Sequence, residues 1–263
     1  MDGSWLGEIL LQEVLAQTPP LKAPYRARAA LSGVAFFVSV WLAKIRADWQ
    51  LTLMINPNIE IVLRAKIGQS LRIAGVDEVG RGPWAGPVTA CAVVLDPNNI
   101  PDGLADSKAL SAKKREALFE PILASADVGL AHVSVEDIDR INILNASLLA
   151  MKLALEQLKR PAQFALIDGN KTPPDLNMPS ECLIKGDARC LSIAAASIVA
   201  KVTRDRMMVA LAQQFPGYGW ETNAGYGTKV HQEGLKNHGV TQHHRRSFKP
   251  IHNMLCASKT SNS

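Results

Sequence analysis

The sequence predicts an α/β fold, and three observations carry that assignment. From Leu71 onward, short apolar runs alternate with segments of helical period. The run Val88-Thr89-Ala90-Cys91-Ala92-Val93-Val94-Leu95 is too continuously apolar to lie at a sheet edge. Apolar runs also lead repeatedly into an aspartate, beside a glycine in the last two cases: Ile73 to Asp77, Phe164 to Asp168-Gly169, and Leu183 to Gly186-Asp187. Strands that end this way place their acids at one rim of a sheet, where open α/β sheets gather ligands.

The elements follow in order. Residues 1–70 differ in character from the rest. Ala29 to Ala43 is uncharged and carries Phe36, Phe37 and Trp41, yet at 15 residues it falls short of the roughly 20 that a spanning helix needs. It predicts a buried or interfacial helix bounded by Pro19, Pro20 and Pro24 on one side and Asn56-Pro57-Asn58 on the other. Met54 is an alternative start, which would make the preceding segment an appended N-terminus. Strands are then expected over Leu71 to Val76 and Val88 to Leu95, with a loop from Gly80 to Pro87 between them. Ser111 is placed to cap a helix, Val128 to Val133 reads as a strand, and Ser134 caps a long helix whose apolar face carries Leu148, Met151, Leu155 and Leu158. After the Phe164 strand, a helix runs from about Cys190 to Phe215. A glycine- and aromatic-rich stretch and two short helices close the chain.

Composition narrows the function. With 263 residues, 47% of them hydrophobic, the chain can bury a full core, which excludes a disordered tail. Four cysteines without C-x-x-C spacing predict buried thiols in a reducing cytoplasm rather than disulfides or zinc ligands. The net charge of +5 is concentrated near the C-terminus, where Lys229, Lys236, Arg245, Arg246 and Lys249 meet only Glu221 and Glu233. A face built for a polyanion has this balance, and so does a soluble basic tail.

The chemistry centres on Asp77-Glu78-Val79-Gly80-Arg81-Gly82-Pro83. Taken alone the stretch also reads as a surface turn. Two adjacent carboxylates directly after an apolar strand nevertheless call for a ligand, and Gly80 and Gly82 let a polyanion approach main-chain N–H groups. Asp77, Glu78, Asp168 and Asp187 can converge, and four carboxylates at close range repel unless cations intervene. Two Mg²⁺ or Mn²⁺ ions suit such oxygen donors, and at about 4 Å separation they promote phosphodiester hydrolysis. Because adjacent strand residues face opposite ways, β pairing is expected to end at Asp77, leaving Glu78 to turn its carboxylate back or offer its carbonyl. Asp187 also reads as a helix cap. Asp106 and Asp205 read as structural, the latter paired with Arg204 or Arg206 on a solvated face. His132 reads as a satisfied core residue, His243-His244 as solvated or phosphate-facing, and Trp84 as packing.

These motifs, in this order from about Leu71 to Leu255, resemble bacterial ribonuclease HII, the type 2 ribonuclease H. The matching text is Ala74 to Pro83, Ala85-Gly86-Pro87-Val88, Asp106-Ser107-Lys108, Asp168-Gly169-Asn170, Lys185 to Ala188, the Ser192 to Asp205 helix, and Gly225-Tyr226-Gly227-Thr228. The resemblance implies a ribonuclease H-like mixed sheet flanked by helices over residues 71–255, with a small C-terminal helical part, a tail at 256–263 and an unmatched extension at 1–70. It also implies an endonuclease acting on RNA/DNA hybrids and on single ribonucleotides in duplex DNA, leaving 3′-hydroxyl and 5′-phosphate ends. Asp77, Glu78, Asp168 and Asp187 match that family's catalytic, metal-binding acids. Gly80, Arg81 and Gly82 match its reader of the 2′-hydroxyl, and Tyr226 matches the tyrosine at the RNA-to-DNA junction. Lys108 and Lys201 are candidate phosphate contacts. A monomeric cytoplasmic protein without stable membrane insertion is expected. Two alternatives use the same residues: a related two-metal nuclease acting on DNA, and a noncatalytic hybrid-binding module.

Overall fold

The computed structural model describes residues 59–68, 70–104 and 110–260. The chain divides into two compact units, Met1–Pro57 and Asn58–Ser263. Ala29 to Ala43, Met54 and Asp106-Ser107-Lys108 lie outside the described residues. Among those described, no helix is long and apolar enough to cross a membrane.

The second unit opens with α1 (Ile59–Ile67), which precedes β1 (Ile73–Val79). Next come β2 (Val88–Leu95), α2 (Ala112–Ser125), β3 (Ala126–Val133), α3 (Val135–Glu156), β4 (Phe164–Asp168) and β5 (Ser180–Leu183). Helices α4 (Leu191–Gln214), α5 (Trp220–Asn223), α6 (Lys229–His238) and α7 (Lys249–Thr260) complete the unit. The five strands form one mixed sheet in the order β3-β2-β1-β4-β5, antiparallel across the first three and parallel from β1 to β5. As its composition demanded, β2 is interior and buried along its whole length.

Each face of the sheet carries a helical layer. On one face, Ala74 and Val76 of β1 and Val88, Ala90, Ala92 and Val94 of β2 pack against Ile138, Ala146, Ala150 and Met151 of α3. On the other, Cys91, Val93 and Leu95 meet Ala195, Ala196, Ile198 and Val199 of α4 together with Phe119 and Ile122 of α2. The small residues at the start of α4 let it lie very close to β1: a Cβ on Gly75 would stand 2.2 Å from the Ile193 nitrogen. No side chain fits there, so Gly75 is fixed by packing. A third cluster, formed by Ala85, Met208, Tyr218, Trp220, Leu235 and Ile251, joins the C-terminal helices to the Gly80–Pro87 loop.

Three expectations are corrected. Strand β1 runs two residues beyond Asp77, because Glu78 and Val79 pair with Ala90 and Thr89. The helix capped by Ser134 is two helical segments, broken at Asn142 (φ 68°, ψ 163°). The Asn142 side chain accepts from the Leu144 and Asn145 amides and so caps the second segment. Of the four thiols only Cys91 and Cys190 are buried; Cys182 is half-buried and Cys256 is exposed.

Candidate active site

Strand register brings the first two acids together. Val76 and Ile167 are partners across the parallel β1–β4 pair, and Asp77 and Asp168 follow them side by side. Alternation points both toward α4, since Ala74, Val76, Ala165 and Ile167 belong to the opposite, α3 face.

Asp187 arrives by a different route from the one the sequence suggested. Strand β5 stops at Leu183, and Lys185 takes a left-handed conformation (φ 55°, ψ 46°) that opens a short 3₁₀ turn over Gly186–Ala188. The Gly186 amide donates to Asp168 Oδ1 at 2.7 Å, which docks the turn on the acid. Asp187 is therefore not the cap of α4; Cys190 occupies that position.

Asp77, Asp168 and Asp187 each place a carboxylate oxygen within 4.8 Å of the other two. Asp77 and Asp187 are buried, and Asp168 is partly buried. Burial, aided by the charges of Glu78 and Asp168, holds the Asp77 carboxyl well above the usual carboxylate range, against the opposing hydrogen bond from Ser197. Such crowding of acids is eased by a hard cation, and an all-carboxylate donor set suits Mg²⁺ or Mn²⁺. Glu78 is not brought into this group. Its carboxylate pairs with Arg81 Nη1 at 3.2 Å, and burial raises its pKa while Arg81 lowers it.

Gly80 is buried just beyond β1 and leads into Arg81 and Gly82, which form an exposed rim. Gly80 has φ 93°, a left-handed conformation that suits glycine. A Cβ on Gly82 would lie 3.1 Å from Tyr226 Cε1, so the loop and the half-exposed tyrosine ring stand against each other. Lys201 lies one helical turn beyond Ser197 on α4, and its ammonium bonds Asp205 at 2.8 Å. Lys108 lies outside the described residues.

Several surrounding residues were misread or missed. Asp205 pairs with Lys201, not with Arg204 or Arg206; Arg206 bonds Glu116 instead. Arg204 is fully buried and donates to the carbonyls of Pro87, Ala224 and Ala85 at 2.9, 2.9 and 3.1 Å. Burial pulls its pKa down to about 10. One signal was available: Arg204 lies four residues from Ala200 and four from Met208, on the apolar stripe of α4. His244 is buried rather than solvated, while His132 on β3 is exposed and bonds Thr89 Oγ1 at 2.8 Å. Trp84 packs against Gly227 and His231, as expected. Glu60 of α1 gave no signal. Its buried carboxylate accepts from the Ser192 amide at 2.8 Å and from Cys190 Sγ at 3.1 Å, and so caps α4 from outside the matched motifs.

A mixed sheet with antiparallel and parallel halves, a helix on each face and aspartates gathered at a strand end define a ribonuclease H-type nuclease. Ribonuclease H2 from Pyrococcus horikoshii OT3 shares the fold at a TM-score of 0.61 and 28% identity, over 72% of this chain and 99% of that one. A ribonuclease HIII solved in complex with Mn²⁺ matches at a TM-score of 0.59 over 73% of this chain and 71% of its own, at 19% identity that speaks to fold alone. The particular family is ribonuclease HII: its model matches residues 74–251, and the chain belongs to it. Ribonuclease HII of Roseobacter denitrificans is 60% identical over 188 residues, spanning 72% of this chain and 95% of its own length. That of a Cereibacter sphaeroides strain is 65% identical over 183 residues, spanning 70% and 86%. The protein is accordingly a ribonuclease H enzyme.

Proposed function

We propose that this chain is an endonuclease that hydrolyses RNA in RNA/DNA hybrids and at single ribonucleotides within duplex DNA, leaving 3′-hydroxyl and 5′-phosphate ends. The observation that carries the reading is the convergence of Asp77, Asp168 and Asp187 to within 4.8 Å beside the Gly80–Gly82 rim. The three aspartates would hold two divalent cations, Mg²⁺ or Mn²⁺, in the active complex, and Glu78 would complete the ligand set through its main-chain carbonyl or its carboxylate. When bound, such ions offset phosphodiester charge and polarise the attacking water.

The chain's own residues do the rest. Ser197 steadies Asp77, and the Gly186 amide fixes the rotamer of Asp168. Gly80, Arg81 and Gly82 read the 2′-hydroxyl, the group that separates RNA from DNA. Tyr226 stacks at the junction, and Lys201 and Lys108 contact phosphate. The enzyme works as a cytoplasmic monomer.

The test is cleavage of a DNA duplex with and without one ribonucleotide, with Mg²⁺ and Mn²⁺ supplied separately. Incision only at the ribonucleotide, and only with metal, is expected. Equal cutting of the all-DNA duplex would overturn the substrate assignment.

A further inference from the structure

His244 and Arg245 are adjacent, fully buried, and unused by the acid cluster. Arg245 holds the Gly80–Pro87 loop from beneath. It donates from Nη2 to the Gly80 carbonyl at 2.5 Å, from Nη1 to the Arg81 carbonyl at 3.0 Å, and from Nε and Nη2 to the Gly86 carbonyl at 3.0 and 2.8 Å. All of these acceptors are neutral. A buried guanidinium facing carbonyls and the Phe248 ring, whose centroid is 5.0 Å away, is costly to desolvate. What the rigid fork of arginine adds is direction, because it fixes several carbonyls at once.

That direction reaches the outer surface through the planarity of the peptide bond. In a trans peptide the N–H points opposite to the C=O of the preceding residue. Holding the Gly80 and Arg81 carbonyls inward therefore turns the Arg81 and Gly82 N–H groups outward, toward the exposed rim.

His244 holds the facing half of that surface. The Thr241 amide donates to its Nδ1 at 3.0 Å, which leaves the ring proton on Nε2. That N–H donates to His231 Nε2 at 3.0 Å, and His231 in turn donates from Nδ1 to the Tyr226 carbonyl at 2.9 Å. Trp220 Nε1 donates to the same His231 nitrogen at 3.2 Å. One protonation state satisfies this chain of bonds: both rings neutral. Main-chain bonds tie the halves together, from the Arg245 amide to the Trp84 carbonyl at 2.8 Å and from the Trp84 amide to the Gly225 carbonyl at 2.8 Å.

We infer that His244 and Arg245 are positioning residues for sugar selection, setting the outward N–H groups of Arg81 and Gly82 against Tyr226 at the spacing a ribonucleotide requires. The inference rests on the reading given under Proposed function and names the device behind its selectivity. Loss of this registration relaxes discrimination without touching the acids.

Arg245→Lys and His244→Gln, made in the full chain, test it. Steady-state cleavage is measured on a duplex with one ribonucleotide and on the same duplex with a 2′-fluoro sugar at that site. Calorimetric Mn²⁺ binding and thermal unfolding are followed in parallel. Arg245→Lys is expected to lower kcat/KM for the ribonucleotide by about 10- to 100-fold, the size of one lost charge-assisted hydrogen bond, and His244→Gln, which loses a neutral one, by about tenfold. The ribo-to-fluoro ratio should fall about tenfold while Mn²⁺ affinity stays unchanged. A folded variant that keeps the wild-type ratio, with its activity lost only in proportion to unfolded protein, would overturn the inference. If Arg245→Lys does not fold, the ratio for His244→Gln decides. Wild-type protein that cleaves no ribonucleotide-containing duplex overturns the functional reading and this inference together, whereas a cleaving wild type with unaltered variants overturns this inference alone.

Discussion

The acid cluster and the loop scaffold beside it face opposite electrostatic problems. Asp77, Asp168 and Asp187 are carboxyl groups pressed together, and burial, with the charges of Glu78 and Asp168, raises the Asp77 pKa well above the usual carboxylate range. Arg204 and Arg245 are buried cations surrounded by carbonyls, with pKa values pulled down by burial to about 10 and about 9. The first group is strained until an outside charge arrives. The second is satisfied internally and exists to hold backbone. Removing charge should therefore cost the first region chemistry and the second region structure.

The sharpest way to break that contrast is Asp168→Asn. Asparagine keeps an oxygen that can accept from the Gly186 amide, so the fold should persist and unfold at an equal or higher temperature. Single-turnover cleavage should drop by at least about a thousandfold, as expected when one ligand of a catalytic metal site is lost. Near-normal turnover would remove the acids from the mechanism.

Arg204→Met is the converse experiment. It orphans the carbonyls of Pro87, Ala224 and Ala85, and denaturant titration should show a loss of about 3 kcal/mol. A loss below about 1 kcal/mol would mean that the loop does not depend on it.

Acid pH separates the regions more gently. Burial, with His231 adding to it, lowers the His244 pKa to about 3. Between that value and about 6.5 the unfolded chain binds the extra proton, so stability contributed by neutral His244 is complete above about pH 6.5 and is lost as pH falls. The expected slope approaches about 1.4 kcal/mol per pH unit for this group, and His244→Gln should remove that share. An unchanged slope in the variant would contradict the neutral-pair assignment.

The smallest effect belongs to Lys201→Ala, which breaks a partly exposed bond to Asp205. Stability should move by less than about 1 kcal/mol, while KM for hybrid should rise if Lys201 meets phosphate.

The contrast also explains what could be read in advance. Asp77 and Asp168 are legible because an acid at the end of an apolar strand has no local reason to be there. Asp187 is legible as a motif but not as geometry, since a left-handed Lys185 delivers it past the end of β5. Arg204, His244 and Arg245 read from sequence as solvated or phosphate-facing groups because their partners are main-chain carbonyls and rings far along the chain. Nothing in local composition marks a carbonyl as waiting for a guanidinium. The break at Asn142 was hidden for a related reason: apolar spacing continues across it, while the backbone does not.

Glu60 carries a practical consequence for anyone trimming this protein. The family match begins at residue 74, but a chain shortened to that boundary discards α1 and strips the first turn of α4 of its acceptor at the Ser192 amide. That turn continues into the Cys190 amide, which donates to the Gly186 carbonyl at 2.8 Å, so the damage travels straight to the loop bearing Asp187. The family-model boundary alone would place the cut too late; a version starting at Met54 retains the helix.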